Sequence, residues 1–273
     1  MTARHSGPQQ PDPQHSDPQQ PGPQQLDPQH SDPQHSSSQH SSSQQPDPPH
    51  SAGETPPTLA ADRVGYRRGG RAVLSDVSVS AYPYQVLAIT GPSGSGKSSL
   101  LALLAGLEPP DSGTVSRTGA QLAGTVPEGY GLVLQGYGLV SVLSAAENVE
   151  IVLQGLASKG SERLDRNDIL DRTEDVLAVL GLDEVADHLV EQLSGGQQQR
   201  VAIARALVIE PTVLLADELT AELDHDSRQR VLDRVFALAA NGSTVVICTH
   251  DPEVAARCHR QIELTNGRLT SSR

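Results

Sequence analysis

Nothing in this chain is apolar for long enough to cross a bilayer. The longest uninterrupted runs, residues 100–105 and 235–240, fall far short of the roughly 20 residues a spanning helix needs. Membrane contact is therefore expected only through a partner protein. Cysteine is almost absent: Cys248 and Cys258 are the only two. That is too few for a disulfide framework and suits a reducing cytoplasm, where both thiols would be structural or incidental. No basic segment followed by an apolar stretch stands at the N-terminus, so no secretory signal is expected. Positive charge is scarce as well. Lysine occurs only at 97 and 159, and the formal net charge is −13. Residues 1–57 carry −5 of it, Arg4 against Asp12, Asp17, Asp27, Asp32, Asp47 and Glu54, which leaves −8 for the rest. Such a balance argues against nucleic acid as a partner and against unaided adhesion to an anionic membrane.

Aromatic residues are missing altogether from residues 1–57, which hold 13 of the 20 prolines and 6 of the 10 histidines. Such a segment buries too little apolar surface to offset the entropy of ordering, and a disordered tail is expected. It repeats Asp-Pro-Gln-His-Ser at 12–16, 27–31 and 32–36, a period too short and polar for a solenoid. Its histidines have neither helical nor zinc-finger spacing, so a solvated, polyproline-like stretch is preferred to a metal-binding one. After Pro56-Pro57 the texture changes. Val77 and Val79 alternate with polar neighbours, and Val86-Leu87-Ala88-Ile89 form a continuous apolar run. That marks the start of a sheet and places one α/β domain over residues 58–273.

The run at 86–90 feeds into Gly91-Pro92-Ser93-Gly94-Ser95-Gly96-Lys97-Ser98-Ser99, and an apolar helix pattern follows over 100–105. Strand, glycine-rich loop and helix in that order read as a P-loop. Glycines let backbone N–H groups curl around phosphate oxygens, and the helix N-terminus adds its positive dipole. Lys97 reaches the β and γ phosphates, and the Ser98 hydroxyl suits Mg2+. A glycine-rich turn without function is the alternative. One of only two lysines in the chain standing at the required position makes it a poor one.

Val213-Leu214-Leu215-Ala216-Asp217-Glu218 reads as a strand ending in two acids. In a parallel sheet the carboxyl ends of the strands face the ligand, so both carboxylates would lie beside the phosphates. Asp217 would hold Mg2+, directly or through its water, and Glu218 would accept a proton from the attacking water. Taken by itself, a buried strand with an acidic cap reads equally well. Upstream, Leu193-Ser194-Gly195-Gly196-Gln197-Gln198-Gln199-Arg200 opens a helix carrying Val201, Ile203, Ala204, Leu207 and Ile209. Ser194 suits an N-cap, and Gly195 and Gly196 leave the backbone bare for an anion. Generic capping does not call for glycines there, where each costs about 1 kcal/mol relative to alanine.

With this motif the chain closely resembles the ABC ATPase family, and the resemblance covers residues 58–273. Tyr66, 25 positions before Gly91, matches the aromatic that stacks on adenine. Gln135 matches the Q-loop glutamine, which contacts Mg2+ or its water and senses the membrane subunit. Ala221-Glu222-Leu223-Asp224 matches the D-loop, and His250 the switch histidine near the γ-phosphate. Each has a local explanation: Tyr66 as core packing, Gln135 as a polar strand end, His250 as the neighbour of an Asp251-Pro252 helix start. At these joint spacings only the family accounts for all of them.

The resemblance implies a P-loop NTPase fold of ABC type, with a mixed sheet core and a helical subdomain over about 137–210. It implies ATP hydrolysis with Glu218, His250 and Gln135 as catalytic residues and Ser98, Gln135 and Asp217 at the Mg2+. Besides the P-loop and Tyr66, nucleotide binding would draw on Ser194, Gly195, Gly196, Gln197 and Asp224, with Ser194 and Gly196 against the nucleotide of a second copy. A homodimer, separate transmembrane permease subunits and a peripheral position on the cytoplasmic face of the plasma membrane follow. The alternative keeps the same nucleotide switch but has it regulate a membrane partner without transport. More finely, Ala145-Ala146-Glu147-Asn148-Val149 and Thr249-His250-Asp251-Pro252-Glu253 resemble the lipoprotein-release and macrolide-exporter branch, although Ser144 with Glu147 also makes a capping box.

Four positions depart from the family pattern. Leu219 stands where proline usually follows the glutamate, which is expected to loosen the loop holding Glu218 and alter its rate. Tyr84-Gln85 after Pro83 replaces the usual Gly-Glu. Positive φ is costly for a bulky residue, so a type I or wider turn is expected there. Ser99 replaces a threonine, with little consequence.

Overall fold

The computed structural model describes residues 56–122 and 126–272; the expected tail lies outside the described residues up to residue 55. The chain runs through β1 (Leu59–Arg68), β2 (Arg71–Ala81), β3 (Val86–Thr90), α1 (Lys97–Leu104), β4 (Ser112–Arg117), β5 (Ala120–Gln121) and β6 (Tyr130–Val133). Three helices follow, α2 (Ala145–Lys159), α3 (Arg166–Val179) and α4 (Gly195–Leu207). The last elements are β7 (Val213–Asp217), α5 (His225–Ala240), β8 (Thr244–Cys248), α6 (Pro252–Arg257), β9 (Arg260–Thr265) and β10 (Arg268–Ser272).

Two sheets result. One is antiparallel, in the order β2-β1-β4-β5; the other has the order β10-β9-β3-β8-β7-β6, with only β10 antiparallel. Strands buried on both faces lose polar alternation, and here the period of two instead sorts apolar residues between two cores. Val86, Leu214, Ala216, Val245 and Ile247 join one with residues of α2 to α5. Leu87, Ile89, Leu215, Val246 and Cys248 join the other with α1 and the antiparallel sheet. Leu100, Leu101, Leu103 and Leu104 of α1 are each at most 1% exposed, as expected of a helix apolar on all sides. Cys248 is wholly buried, which pushes its thiol pKa well above the ordinary value, and burial raises Cys258 to about 11. Both thiols are therefore kept in the poorly reactive protonated form.

The stretch between β6 and β7 carries the helical part of the fold. Its first helix begins as the sequence indicates: the Glu147 N–H donates to Ser144 Oγ at 3.1 Å and the Ser144 N–H to Glu147 Oε2 at 2.8 Å. Buried Asn148 secures the preceding loop, accepting from the Val140 N–H at 2.8 Å and donating to the Ser144 carbonyl at 2.9 Å.

One expectation is corrected. Tyr84 takes φ 63°, the left-handed conformation of the third residue of a type II turn, rather than the type I or wider turn expected. Pro83 presets the position before it, and the Tyr84 ring lies over Gly242, where even an added Cβ would sit 3.5 Å from the ring. Leu219, where the family usually has proline, buries its side chain in the core, 1% exposed.

Candidate functional site

Strands β6, β7, β8 and β3 are parallel and level at their carboxyl ends. Val133 is opposite Ala216, Asp217 opposite Cys248, and Cys248 opposite Ile89. Residues leaving those ends therefore share one edge of the sheet: Gln135, Glu218, His250 and Gly91. Ligands of open α/β sheets bind at such an edge.

The loop after β3 is shaped by glycine. Gly91 has φ 135°, and a Cβ there would lie 2.0 Å from the Leu264 carbonyl oxygen. Gly96 has φ 106°, and its Cβ would lie 2.8 Å from a Leu74 methyl carbon. Lys97, 7% exposed, donates to the Gly91 and Pro92 carbonyls at 2.9 and 3.2 Å. Pro92, Ser93, Gly94 and Ser98 are exposed, Ser99 is half-buried, and the Ser95 hydroxyl is buried without a hydrogen-bond partner among the described residues. Helix α1 starts on Gly96 with no side-chain cap, whereas α2, α3, α4, α5 and α6 are capped by Ser144, Asp165, Ser194, Asp224 and Asp251. Its first-turn N–H groups are thus left for an anion.

Asp217, 7% exposed, accepts a hydrogen bond from the Ser98 hydroxyl. Burial raises its pKa and the Glu218 charge adds to this, while the Ser98 hydrogen bond and Lys97 oppose it. Two adjacent oxygen donors, one an acid, fit a hard cation such as Mg2+. Gln135 lies exposed in the turn after β6.

Glu218 has φ 54°. Its N–H donates to the Cys248 carbonyl at 3.0 Å, and its own carbonyl accepts from Gln199 Nε2 at 2.8 Å. Its carboxylate lies 2.8–2.9 Å from Nδ1 of His250, whose side chain is 70% exposed. The structure thus brings together Lys97, Ser98, Asp217, Glu218 and His250.

At α4, Ser194 Oγ accepts from the Gln197 N–H at 3.3 Å, and the Ser194 N–H donates to Gln197 Oε1 at 2.8 Å. A Cβ on Gly195 would lie 2.3 Å from Glu222 Oε2, and one on Gly196 would lie 2.7 Å from the Glu222 carbonyl oxygen. Both glycines therefore let the loop after β7 close onto this helix within one chain, a reason the sequence does not reveal. The Asp224 carboxylate is occupied in capping α5: it accepts the Ser227 N–H at 2.9 Å and the Ser227 hydroxyl at 2.7 Å. Those bonds, the backbone one first, lower its pKa. Tyr66 is packed in the core, 8% exposed, with its hydroxyl donating to the Glu108 carboxylate. Stacking on adenine would require the ring to leave that packing.

Two connections went unread in the sequence. Gln199, 2% exposed, bridges Glu218 to the Glu222 N–H, which it accepts at 3.1 Å. Its one sequence signal is position: it precedes buried Ile203 by one helical repeat and so shares its inward face. Tyr137, just past Gln135, donates its hydroxyl to Glu222. Burial first, then that bond, raise its pKa to about 12. Arg205 Nη atoms hold the Tyr137 and Gly138 carbonyls at 2.6 Å.

A family model described as ABC transporter matches residues 74–221. The macrolide export ATP-binding/permease protein MacB 1/2 of Paracoccus denitrificans is 43% identical over 211 residues, 74% of this chain and 30% of that protein. The macrolide export ATP-binding/permease protein MacB of Burkholderia thailandensis is 44% identical over 210 residues, 74% of this chain and 31% of that one. The chain therefore spans under a third of the length of these curated relatives. Among solved structures, a dimeric post-hydrolysis state of the ATP-binding cassette MJ0796 bound to ADP and Pi matches with a TM-score of 0.71 at 31% identity. The match covers 79% of this chain and 97% of that one.

Proposed function

The chain belongs to the ABC transporter family and carries its ATP-binding, ATP-hydrolysing domain, and from that premise we propose that two copies close on ATP to power transport through separate transmembrane subunits. One observation carries the reading: Lys97 and Ser98, beyond one strand end, meet Asp217, Glu218 and His250 at the ends of two others.

In this reading the N–H groups over 91–99 cradle the phosphates and Lys97 balances the charge of the β and γ groups. Ser98 and Asp217, with Gln135 on the same edge, hold Mg2+, which when bound neutralises charge on the phosphate oxygens. Glu218 takes the proton of a water whose oxygen attacks the γ-phosphorus. The bond to the β–γ bridging oxygen breaks, and ADP and inorganic phosphate leave. His250 fixes the Glu218 carboxylate and faces the γ-phosphate. Ser194, Gly195, Gly196 and Gln197 close on the nucleotide of the second copy, and Asp224 holds the adjoining loop in shape. Tyr66 turns outward to meet adenine.

No helix among the described residues is long and apolar enough to cross a membrane. Val140, Val142 and Ile151, following Gln135, are exposed apolar residues, Val142 at 76%. This surface supports contact with a permease, which would hold the domain at the cytoplasmic face of the plasma membrane. Glu218→Gln is expected to accumulate as an ATP-bound dimer in size-exclusion chromatography with little turnover, and Lys97→Ala to lose affinity for ATP with Mg2+. Parental hydrolysis by the first would remove Glu218 as the base; parental affinity in the second would overturn the reading.

A further inference from the structure

We propose that Gln199 is a positioning residue for the Glu218 carboxylate, an inference that rests on the ATP hydrolysis proposed above. A carboxamide 2% exposed inside a helix is costly unless both of its ends are satisfied. Here both are, and both by backbone of the loop after β7. Nε2 donates to the Glu218 carbonyl at 2.8 Å and Oε1 accepts the Glu222 N–H at 3.1 Å. One partner accepts and the other donates, so the orientation of the amide is fixed by its partners. The loop is thus held at its beginning and end by one side chain of α4, and in between by the buried Leu219.

What this hold maintains is the backbone of Glu218. Its φ of 54° is a conformation that non-glycine residues keep only where their surroundings enforce it. That φ sets the direction in which the side chain leaves the chain, toward His250 Nδ1 at 2.8–2.9 Å. Without the amide, the carbonyl of residue 218 loses its side-chain donor and the peptide is free to relax to negative φ, swinging the carboxylate off the edge shared with Ser98 and Asp217. Gln199 touches neither substrate nor metal in this arrangement; it acts through Glu218.

The test compares the full chain with Gln199→Met, which keeps the length and loses both hydrogen bonds. Glu218→Gln and the double variant complete a cycle, with kcat, KM for ATP, ATP affinity and thermal melting measured for each. Gln199→Met is expected to lose about 100-fold in kcat, the scale of a misplacement of about 1 Å, with KM and ATP affinity within about twofold. In the Glu218→Gln background it is expected to change the residual rate by less than about twofold. If Gln199→Met does not fold, Gln199→Glu carries the same comparison. It still accepts from Glu222 but turns an oxygen toward the Glu218 carbonyl, and the same loss is expected. Parental kcat in the folded variants, equal losses in both backgrounds, or a fall in ATP affinity matching the fall in kcat would each overturn the positioning role alone. A parent chain without Mg2+-dependent ATP hydrolysis would instead overturn the function on which it rests.

Discussion

The loop after β3 and the loop after β7 both end at the same edge, yet they hold their shapes by different means. The first bends at Gly91, Gly94 and Gly96, all at positive φ, where the missing side chains admit the Leu264 carbonyl and the Leu74 methyl group. The second has no glycine between Asp217 and Asp224. It bends through Glu218 at φ 54° and is held by Gln199, by buried Leu219 and by the contact of Glu222 with Gly195 and Gly196. Glycine stores a loop's shape in the loop itself. A loop of ordinary residues borrows its shape from parts of the chain folded elsewhere.

Substitutions in the two loops should therefore fail differently. The largest effect is expected for Gly91→Ala, whose Cβ would meet backbone at 2.0 Å. ATP affinity should fall at least about 100-fold by calorimetry, with a stability loss of about 3 kcal/mol or more in urea melts. Gly94→Ala, with nothing within 4 Å of its Cβ, should show only the left-handed cost of about 1–2 kcal/mol. Equal effects at the two glycines would erase the distinction between close approach and conformation. In the other loop, Leu219→Ala should cost about 2–5 kcal/mol, the range for emptying a buried leucine site. A loss under about 0.5 kcal/mol would show that the core does not hold this loop. Glu218→Gly should abolish turnover yet melt at a slightly higher temperature, by relief of about 1 kcal/mol of backbone cost. A lower melting temperature would show that the surroundings, not strain, dominate there.

Asp217 joins the two loops through Ser98, and its effect should be read against pH. Its pKa is raised above 3.8, chiefly by burial. The folded state therefore holds its proton at pH values where the unfolded chain has released it, and stability falls as pH rises from about the unfolded value through the folded one. Asp217→Asn removes this loss. Its melting temperature relative to the parent should climb across that window and level off above it. A difference independent of pH would show that burial does not disfavour the charge.

The course of the first loop was legible in the sequence from its glycine and lysine spacing, but not the approach of Leu264 to Gly91 or of Leu74 to Gly96; the two acids after an apolar run stood out, although by themselves they read equally well as an acidic cap on a buried strand. Tyr84 was misread because the turn is decided by Pro83 before it and by Gly242, 158 positions away. Gly195 and Gly196 were read as bare backbone for an anion. The pressure of Glu222 on them comes from a loop that sequence spacing cannot place. Gln199 lay hidden in a run of three glutamines, where only helical phase separates the buried one from its neighbours. Local chemistry was readable, and what failed to show was the side chain whose partner is distant in sequence.

The position of β3 in its sheet has a consequence for biosynthesis. Val86 pairs with Val245 and Leu87 with Arg260, so the strand that launches the lysine loop has neither neighbour until β8 and β9 have been made. At about 5–20 residues per second of ribosomal synthesis, that interval is on the order of 10–30 s. Throughout it a nascent chain carries an apolar strand with two unpaired edges, the kind of segment that seeks other chains. Competence to bind a triphosphate then arrives abruptly, when β8 and β9 close around β3.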